Sequence, residues 1–337
     1  MTRENPLAIE VTRGDAVESR HRAAAAVVGA DGRIVAAWGD IDRPVFPRSA
    51  IKPLQALPLI ETGAAERFAV TDAELALACA SHGGEPDHVG RVGAWLSRIG
   101  LDGDDLACGP HSPMSDSEAR RMARAGETPS RLHNNCSGKH AGFLATARHL
   151  DEPTAGYEHP DYPVQRRVLA TLAEMGGLDA GTIGWAVDGC GVPTFALPLV
   201  AVARAMAGLA AAESLPANRG QAAGRILNAI AAHPYLIAGT GRFDTAIVAA
   251  FKGAVVVKGG AEGVHAAALP GSGMGIALKI DDGAGRAAET AMAALLDRYA
   301  DRTVATRAAL APYLERPVQN AAGDIVGAVR PAAAWPD

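Results

Sequence analysis

Two residues early in the chain have the types and the spacing of a nucleophile and its base. Ser49 and Lys52 lie three residues apart at the predicted start of a helix, so their side chains share one face. A serine hydroxyl becomes reactive when a base removes its proton. A lysine serves as that base when desolvation or nearby positive charge lowers its pKa. The pair therefore predicts a serine nucleophile activated by a lysine. This common spacing leaves one alternative open, a capping serine beside a solvated lysine.

Two further segments suit the same chemistry. Ser81 lies in a polar, glycine-rich break between helical stretches, and Lys258 ends a predicted strand. The order of Ser-x-x-Lys, serine-bearing loop and strand-borne lysine is similar to that of β-lactamases and penicillin-binding enzymes. In those enzymes the three elements line one cleft between a helical lobe and a sheet. The match is partial, because the loop lacks the Ser-Asp-Asn pattern and Gly259 replaces the threonine of Lys-Thr-Gly.

The four cysteines fall into two kinds. Cys79 and Cys108 are expected to be small buried hydrophobic residues. Cys136 precedes an amphipathic run and is predicted near a helix N-terminus, where a thiolate is stabilised. Cys190 lies in a glycine-bracketed loop after a short strand. Neither belongs to a Cys-x-x-Cys pair, so a metal or thiol role and simple packing both remain open for these two residues.

Hydrophobic periodicity predicts the elements that position these residues. The first third and the last third of the chain are predicted to form strands, and the middle is predicted to be helical. This order predicts an α/β protein of the α+β type, with an antiparallel sheet from both chain ends packed with helices plus a helical lobe. We expect a single catalytic domain with a sheet lobe at about 1–65 and 240–337 and a helical lobe at about 66–239. Strands are predicted at 8–11, 19–28, 33–38, 183–187, 251–258, 264–269 and 275–280, and helices at about 51–63 and 285–300.

Composition argues against several classes of function. The chain has 337 residues, 48% hydrophobic and 4% aromatic, which suits a large core of small aliphatic side chains. A net charge of -5, a pI near 6.1 and no lysine- or arginine-rich run argue against a nucleic-acid partner. The N-terminal segment lacks a signal-peptide pattern, and the longest apolar run, 195–203, is too short to cross a bilayer. Scattered cysteines are typical of a reducing compartment, so we expect a cytoplasmic protein with no membrane partner.

Six runs taken together resemble the Rhizobium etli type of L-asparaginase, the thermolabile asparaginase II family. They are spread in order over nearly the whole chain, and the longer ones are highly specific. The runs are 47–53 (PRSAIKP), 81–86 (SHGGEP), 133–140 (HNNCSGKH), 188–193 (DGCGVP), 239–243 (GTGRF) and 258–263 (KGGAEG). One departure is Gly83, where a more polar residue is expected in many relatives.

The resemblance implies a serine β-lactamase-like fold, a homodimer, and hydrolysis of L-asparagine to L-aspartate and ammonia. It implies two Ser-Lys pairs in one site, Ser49 with Lys52 and Ser81 with Lys258. Lys258 is preferred to Lys252 because it directly precedes the run Gly-Gly-Ala-Glu-Gly.

The resemblance also implies one zinc ion per chain, bound by Cys136, Lys139 and Cys190. A lysine binds a metal only as the neutral amine, so the pKa of Lys139 would have to be strongly depressed, which the charge of the ion favours. Three more residues in or beside these motifs, Arg48, His140 and Asp188, are predicted to contact the substrate. His140 and Asp188 are alternatively predicted to support the metal ligands.

The predicted mechanism is attack of Ser49 on the side-chain amide with Lys52 as base, and Ser81 is the competing candidate for the nucleophile. Two other hypotheses remain. A penicillin-recognising serine hydrolase is disfavoured by the altered second and third motifs and by the missing export signal. A non-catalytic sensor that binds zinc or an amino acid is disfavoured by the retention of both Ser-Lys pairs.

Overall fold

The main sheet is built from strands near both ends of the chain. The computed structural model describes residues 4–336. Apolar runs of alanine and β-branched residues form the strands, and every strand pair is antiparallel. The strands are β1 (Leu7–Arg13), β2 (Ala16–Val28), β3 (Ile34–Trp38), β4 (Pro44–Val45), β5 (Trp185–Val187), β6 (Pro193–Phe195), β7 (Leu197–Pro198), β8 (Val256–Gly260), β9 (Val264–Leu269), β10 (Met274–Ile280), β11 (Arg316–Gln319) and β12 (Ile325–Pro331).

Eight of these strands form one sheet in the order β11-β12-β1-β2-β10-β9-β8, with β3 also beside β2. β2 connects its two halves, because residues 16–22 pair with β1 whereas residues 23–28 pair with β10. Residues 23–28 are all buried. Since successive side chains of a strand point to opposite faces, both faces of the sheet are covered at this point.

Helices provide that cover and fill the middle of the chain. α9 lies against β2, β9 and β10, and α13 packs on β9, β10 and β12. The approach of α9 is close at Gly275, where a Cβ atom would lie 2.1 Å from the carbonyl oxygen of Ala203. The helices are α1 (Lys52–Gln55), α2 (Leu57–Glu61), α3 (Ala64–Arg67), α4 (Asp72–Ala78), α5 (Pro86–Arg98), α6 (Asp116–Ala125), α7 (Ser137–His149), α8 (Pro163–Gly176), α9 (Leu199–Ala210), α10 (Ala217–Ala232), α11 (Pro234–Ala238), α12 (Phe243–Phe251), α13 (Gly285–Tyr299) and α14 (Val304–Leu314).

The predicted fold class, an antiparallel sheet from both chain ends packed with helices, is confirmed. The predicted strand at 251–258 starts too early, because α12 continues to Phe251 and Lys252 then adopts a left-handed conformation with φ 49°. The helix-strand-strand segment of α14, β11 and β12 was not predicted. The division into two lobes at about residues 66 and 239 stays a prediction. Among residues 4–336, no helix has the length and apolar character needed to span a membrane.

Candidate active site

The turn that carries Ser49 is held by an ion pair. A 3₁₀ helix over Arg48–Ile51 leads into α1, and Arg48 has φ 51°, a left-handed conformation that non-glycine residues seldom adopt. Its Nε and Nη2 atoms lie 2.8 and 2.7 Å from Oδ1 of Asp188. These two contacts compensate the strain and fix the turn against the loop that follows β5.

Lys52 connects three of the predicted motifs. Its side chain is fully buried, and its Nζ atom lies 3.1 Å from Oγ of Ser81 and 3.2 Å from Sγ of Cys136. It also donates a hydrogen bond to the carbonyl oxygen of Ala80. Ser49 is half-buried, and its hydroxyl has no hydrogen-bond partner within the described part of the chain. The structure therefore brings Lys52 to the serine of the second motif, while the hydroxyl of Ser49 stays free to face the cleft.

Lys258 is buried in the middle of β8, whereas Lys252 is exposed at the end of α12. Burial lowers the pKa of Lys258 to about 8, although the nearby carboxylate of Asp244 acts in the opposite direction. The Nζ atom of Lys258 lies 3.4 Å from Oδ2 of Asp244 and 2.7 Å from the carbonyl oxygen of Gly259. Within residues 4–336 no hydrogen bond joins Lys258 to Ser81, so their predicted pairing stays a prediction.

Asp244 is a residue of the cleft that the sequence did not reveal. It lies in the first turn of α12 and is buried. Its carboxylate accepts hydrogen bonds from the backbone N–H of Gly259 and from Nε2 of His265, both at 2.9 Å. Burial alone would raise the pKa of Asp244, but the charge of Lys258 and the bond from His265 hold that pKa well below its usual value. Asp244 therefore anchors both Lys258 and the strand end that borders the cleft.

The two cysteines of interest meet beside Lys139. Cys136 is the N-cap residue of α7, as predicted, and Nζ of Lys139 lies 3.1 Å from Sγ of Cys190. A hydrogen bond from Cys136 lowers the pKa of Cys190 to about 5, and the same bond, with burial, raises the pKa of Cys136 to about 12. These pKa shifts favour a thiolate at Cys190 over one at Cys136. A metal or thiol role for the two cysteines stays a prediction.

These three residues fit a metal ion in the type of their donors. Two sulfur atoms and one nitrogen atom match the preference of zinc, and three protein ligands leave one coordination position open. Burial opposes the charge of Lys139, but the neighbouring Cys190 and Cys136 raise its pKa overall. Metal binding would therefore require Lys139 and Cys136 to lose their protons. Among residues 4–336, no group of three or more histidine, cysteine, aspartate or glutamate side chains is placed to hold a metal.

His140 is buried away from the surface of the cleft. Its Nδ1 atom lies 2.6 Å from the hydroxyl oxygen of Tyr157, and its Nε2 atom has no hydrogen-bond partner in the described chain. Burial lowers the pKa of His140 to about 3, so the ring is neutral. Substrate contact by His140 stays a prediction, as it does for Arg48 and Asp188.

A cleft of about 270 Å³ brings the predicted side chains to one surface. Ser49, Ser81, Cys136 and Cys190 contribute to its wall, and Arg48 and Asp188 border it. Lys52, Lys139 and Lys258 are buried, and each of them contacts residues of the wall directly. A larger groove of about 930 Å³, bordered by the end of α9 and by α10, contains none of the predicted site residues. The smaller cleft is therefore the candidate active site.

Comparisons with known proteins show the family to which the chain belongs. No curated protein sequence matches the chain. Among solved structures, a β-lactamase from Mycobacterium bovis is similar over 86% of this chain and 94% of that chain, with 16% sequence identity and a TM-score of 0.41. The family model described as L-asparaginase II matches residues 9–331. The motifs that form the cleft lie inside the matched range. The chain belongs to the L-asparaginase II family.

Proposed function

We propose that this protein hydrolyses the side-chain amide of L-asparagine to L-aspartate and ammonia. Membership of the L-asparaginase II family supports an amidohydrolase. The observation that carries the proposal is the contact of 3.1 Å between Nζ of Lys52 and Oγ of Ser81, at a cleft that Ser49 also lines. Through this contact the hydroxyl of Ser81 can carry a proton between Lys52 and a group bound in the cleft beside Ser49.

In the proposed reaction Ser49 is the nucleophile. Lys52, as a neutral amine, takes the hydroxyl proton, and Oγ of Ser49 forms a bond to the amide carbon of asparagine. The C–N bond then breaks, and the proton passes from Lys52 through the hydroxyl of Ser81 to the leaving ammonia. Water hydrolyses the resulting ester and regenerates Ser49. Backbone N–H groups at the start of the helical turn would stabilise the oxyanion.

A zinc ion held by Cys136, Lys139 and Cys190 is part of the proposal. When bound, such an ion supplies Lewis-acid polarisation of a carbonyl group or an anchor for the substrate. The contact between Lys52 and Cys136 supports a link between the metal ligands and the Ser-Lys pair. We further propose a cytoplasmic homodimer of the Rhizobium etli type.

The test is a coupled ammonia assay on L-asparagine and L-glutamine, with and without a chelator. Glutamine is one methylene longer than asparagine, and an apolar pocket discriminates against one methylene by only about 1–3 kcal/mol. Some release of ammonia from glutamine is therefore compatible with the proposal. Ser49→Ala is expected to abolish the release of ammonia. In the unmodified protein, stopped during turnover, mass spectrometry is expected to find an acyl adduct on Ser49. Ser97→Ala, on the exposed side of α5, is the control. Full turnover by Ser49→Ala would contradict the assignment, and nitrocefin hydrolysis without ammonia release would contradict the substrate.

Gly260 provides a steric test of the same site. A Cβ atom at this position would lie 2.6 Å from the carbonyl oxygen of Pro47 and 3.2 Å from the backbone nitrogen of Ala50. Gly260→Ala is therefore expected to displace the turn that carries Ser49. We expect kcat/KM for L-asparagine to fall by about 10- to 100-fold, since small misplacements of reacting groups have effects of that size. Steady-state kinetics measure this.

Gly271→Ala is the matched control, because a Cβ atom there would meet nothing within 4 Å. Its kinetics are expected to equal those of the unmodified protein. Equal activity of the two variants would show that the turn tolerates the displacement, and it would refute the steric argument.

A further inference from the structure

Arg242 lies on the cleft wall in a position fixed by the loop that precedes α12. It is the N-cap residue of that helix. Thr240, two residues earlier in the chain, donates hydrogen bonds from its backbone nitrogen and its hydroxyl to the carboxylate of Glu85, at 3.0 and 2.9 Å. Tyr235 donates a further bond of 3.1 Å to the same carboxylate. Glu85 lies in the motif that begins with Ser81, so the backbone at Arg242 is tied to the serine-bearing loop.

Most charged side chains that line this cleft are already paired. Arg48 lies 2.7 Å from Asp188, the carboxylate of Asp244 lies 2.9 Å from Nε2 of His265, and Glu289 lies 2.9 Å from Arg316. Arg242 differs from them. Within residues 4–336 its guanidinium has neither an ion pair nor a hydrogen bond, although the side chain is half-buried. The cleft therefore contains a guanidinium whose charge no protein carboxylate neutralises.

We propose that Arg242 binds the α-carboxylate of an amino-acid amide substrate. This inference rests on the proposed function, and it names the feature by which the site would select an amino acid over a simple amide. A guanidinium presents a planar set of N–H donors that matches a carboxylate in a bidentate geometry. Arg48, the other arginine of the wall, has its Nε and Nη2 donors directed at Asp188. Arg242 is thus the arginine on this wall with its donors available to an incoming anion.

The experiment compares two substrates that differ only in the carboxylate. L-asparagine carries it, whereas 3-aminopropanamide has the same amine and amide without it. In Arg242→Met we expect KM for L-asparagine to rise by roughly 10- to 100-fold, the usual effect of losing a charged hydrogen bond. We expect kcat/KM for 3-aminopropanamide to stay within about threefold of the unmodified protein, because the lost donor has no partner on that substrate. Arg242→Lys is expected to recover part of the affinity for L-asparagine.

The control is Arg120→Met, an exposed arginine of α6 near the neighbouring surface, whose kinetics should not change on either substrate. An unchanged KM for L-asparagine in Arg242→Met would overturn the inference. Equal losses on both substrates would also overturn it, since they would indicate a disturbed site. If the unmodified protein releases no ammonia from L-asparagine, the proposed function fails. Isothermal titration calorimetry with L-aspartate then tests the role of Arg242 separately. Binding to the unmodified protein that is lost in Arg242→Met supports this role, and absence of binding to the unmodified protein overturns it.

Discussion

Replacing Lys52 with methionine is expected to lower kcat/KM for L-asparagine by about 10²- to 10⁴-fold, the usual contribution of a general base. Methionine has a similar length and fills the buried space, but it cannot accept a proton. The contacts from Nζ to Ser81 and Cys136 are lost together. The loss of activity is expected in kcat, because the side chain is buried beneath the cleft and does not contribute to its wall. Steady-state ammonia release measures both parameters.

The fold of this variant should survive. Methionine occupies the buried volume of Lys52, and the acceptors left without a donor cost roughly 1–3 kcal/mol. Circular dichroism and urea unfolding check this. Lys252→Met is the matched control, since that lysine is exposed at the end of α12 and is expected to be neutral in both assays. A Lys52→Met enzyme within tenfold of full activity would refute the role of this lysine as the base.

Asp244→Asn is expected to destabilise the protein by roughly 3–5 kcal/mol at pH 6, as removal of one partner of a buried ion pair usually does. The substitution keeps the shape of the side chain. It leaves Lys258 buried without its carboxylate, and the pKa of that lysine then falls further below about 8, because Asp244 is the group that raises it.

The pH dependence follows from proton binding. The folded variant loses the proton of Lys258 at a lower pH than the folded unmodified protein, whereas the unfolded chains hold it up to about 10.5. Stability rises with pH wherever the unfolded state binds more protons. As the pH rises, the free energy of unfolding of the variant therefore begins to increase at a lower pH than that of the unmodified protein. The difference between these two free energies shrinks up to about pH 8 and is constant above it. Urea unfolding at pH 6, 7, 8 and 9 measures the difference.

An exposed carboxylate provides the control for this experiment. Asp87 pairs with Arg91 on the surface of α5, and Asp87→Asn is expected to change stability by less than about 1 kcal/mol at every pH. A deficit of Asp244→Asn that stays the same from pH 6 to pH 9 would contradict the assigned coupling between Asp244 and Lys258.

The sequence predicted the sheet well where glycine-rich turns bound a short apolar run. The strand at 264–269, between Gly263 and Gly271, is an example. It failed at 251–258 because only Lys252 and Gly253 separate the apolar residues of the helix from those of the strand. Periodicity cannot separate the end of a buried helix from the start of a buried strand. Gly253, which follows Lys252 at φ 88°, is the one local signal of the break.

The candidate site was also predicted only in part. Short motifs predicted Ser49, Lys52, Ser81 and Cys136, because each lies in a recognisable run of residues. They did not predict which side chains meet, since Lys52 and Ser81 are far apart in the chain and only the fold brings them to 3.1 Å. Asp244 and Arg242 were missed for a related reason. Their significance depends on which charges around the cleft already have partners, and that pattern has no counterpart in the order of residues.

The pairing of the first strand with the last has a consequence for how the enzyme is made. β1 joins β12, with Ile9 opposite Pro331, and β8 supplies the strand end that packs on the turn of Ser49. Contacts between such distant parts of a chain form late and slow folding. During synthesis the turn that carries Ser49 therefore leaves the ribosome long before β8. The cleft is expected to be complete only once the C-terminal strands have folded against the N-terminal ones.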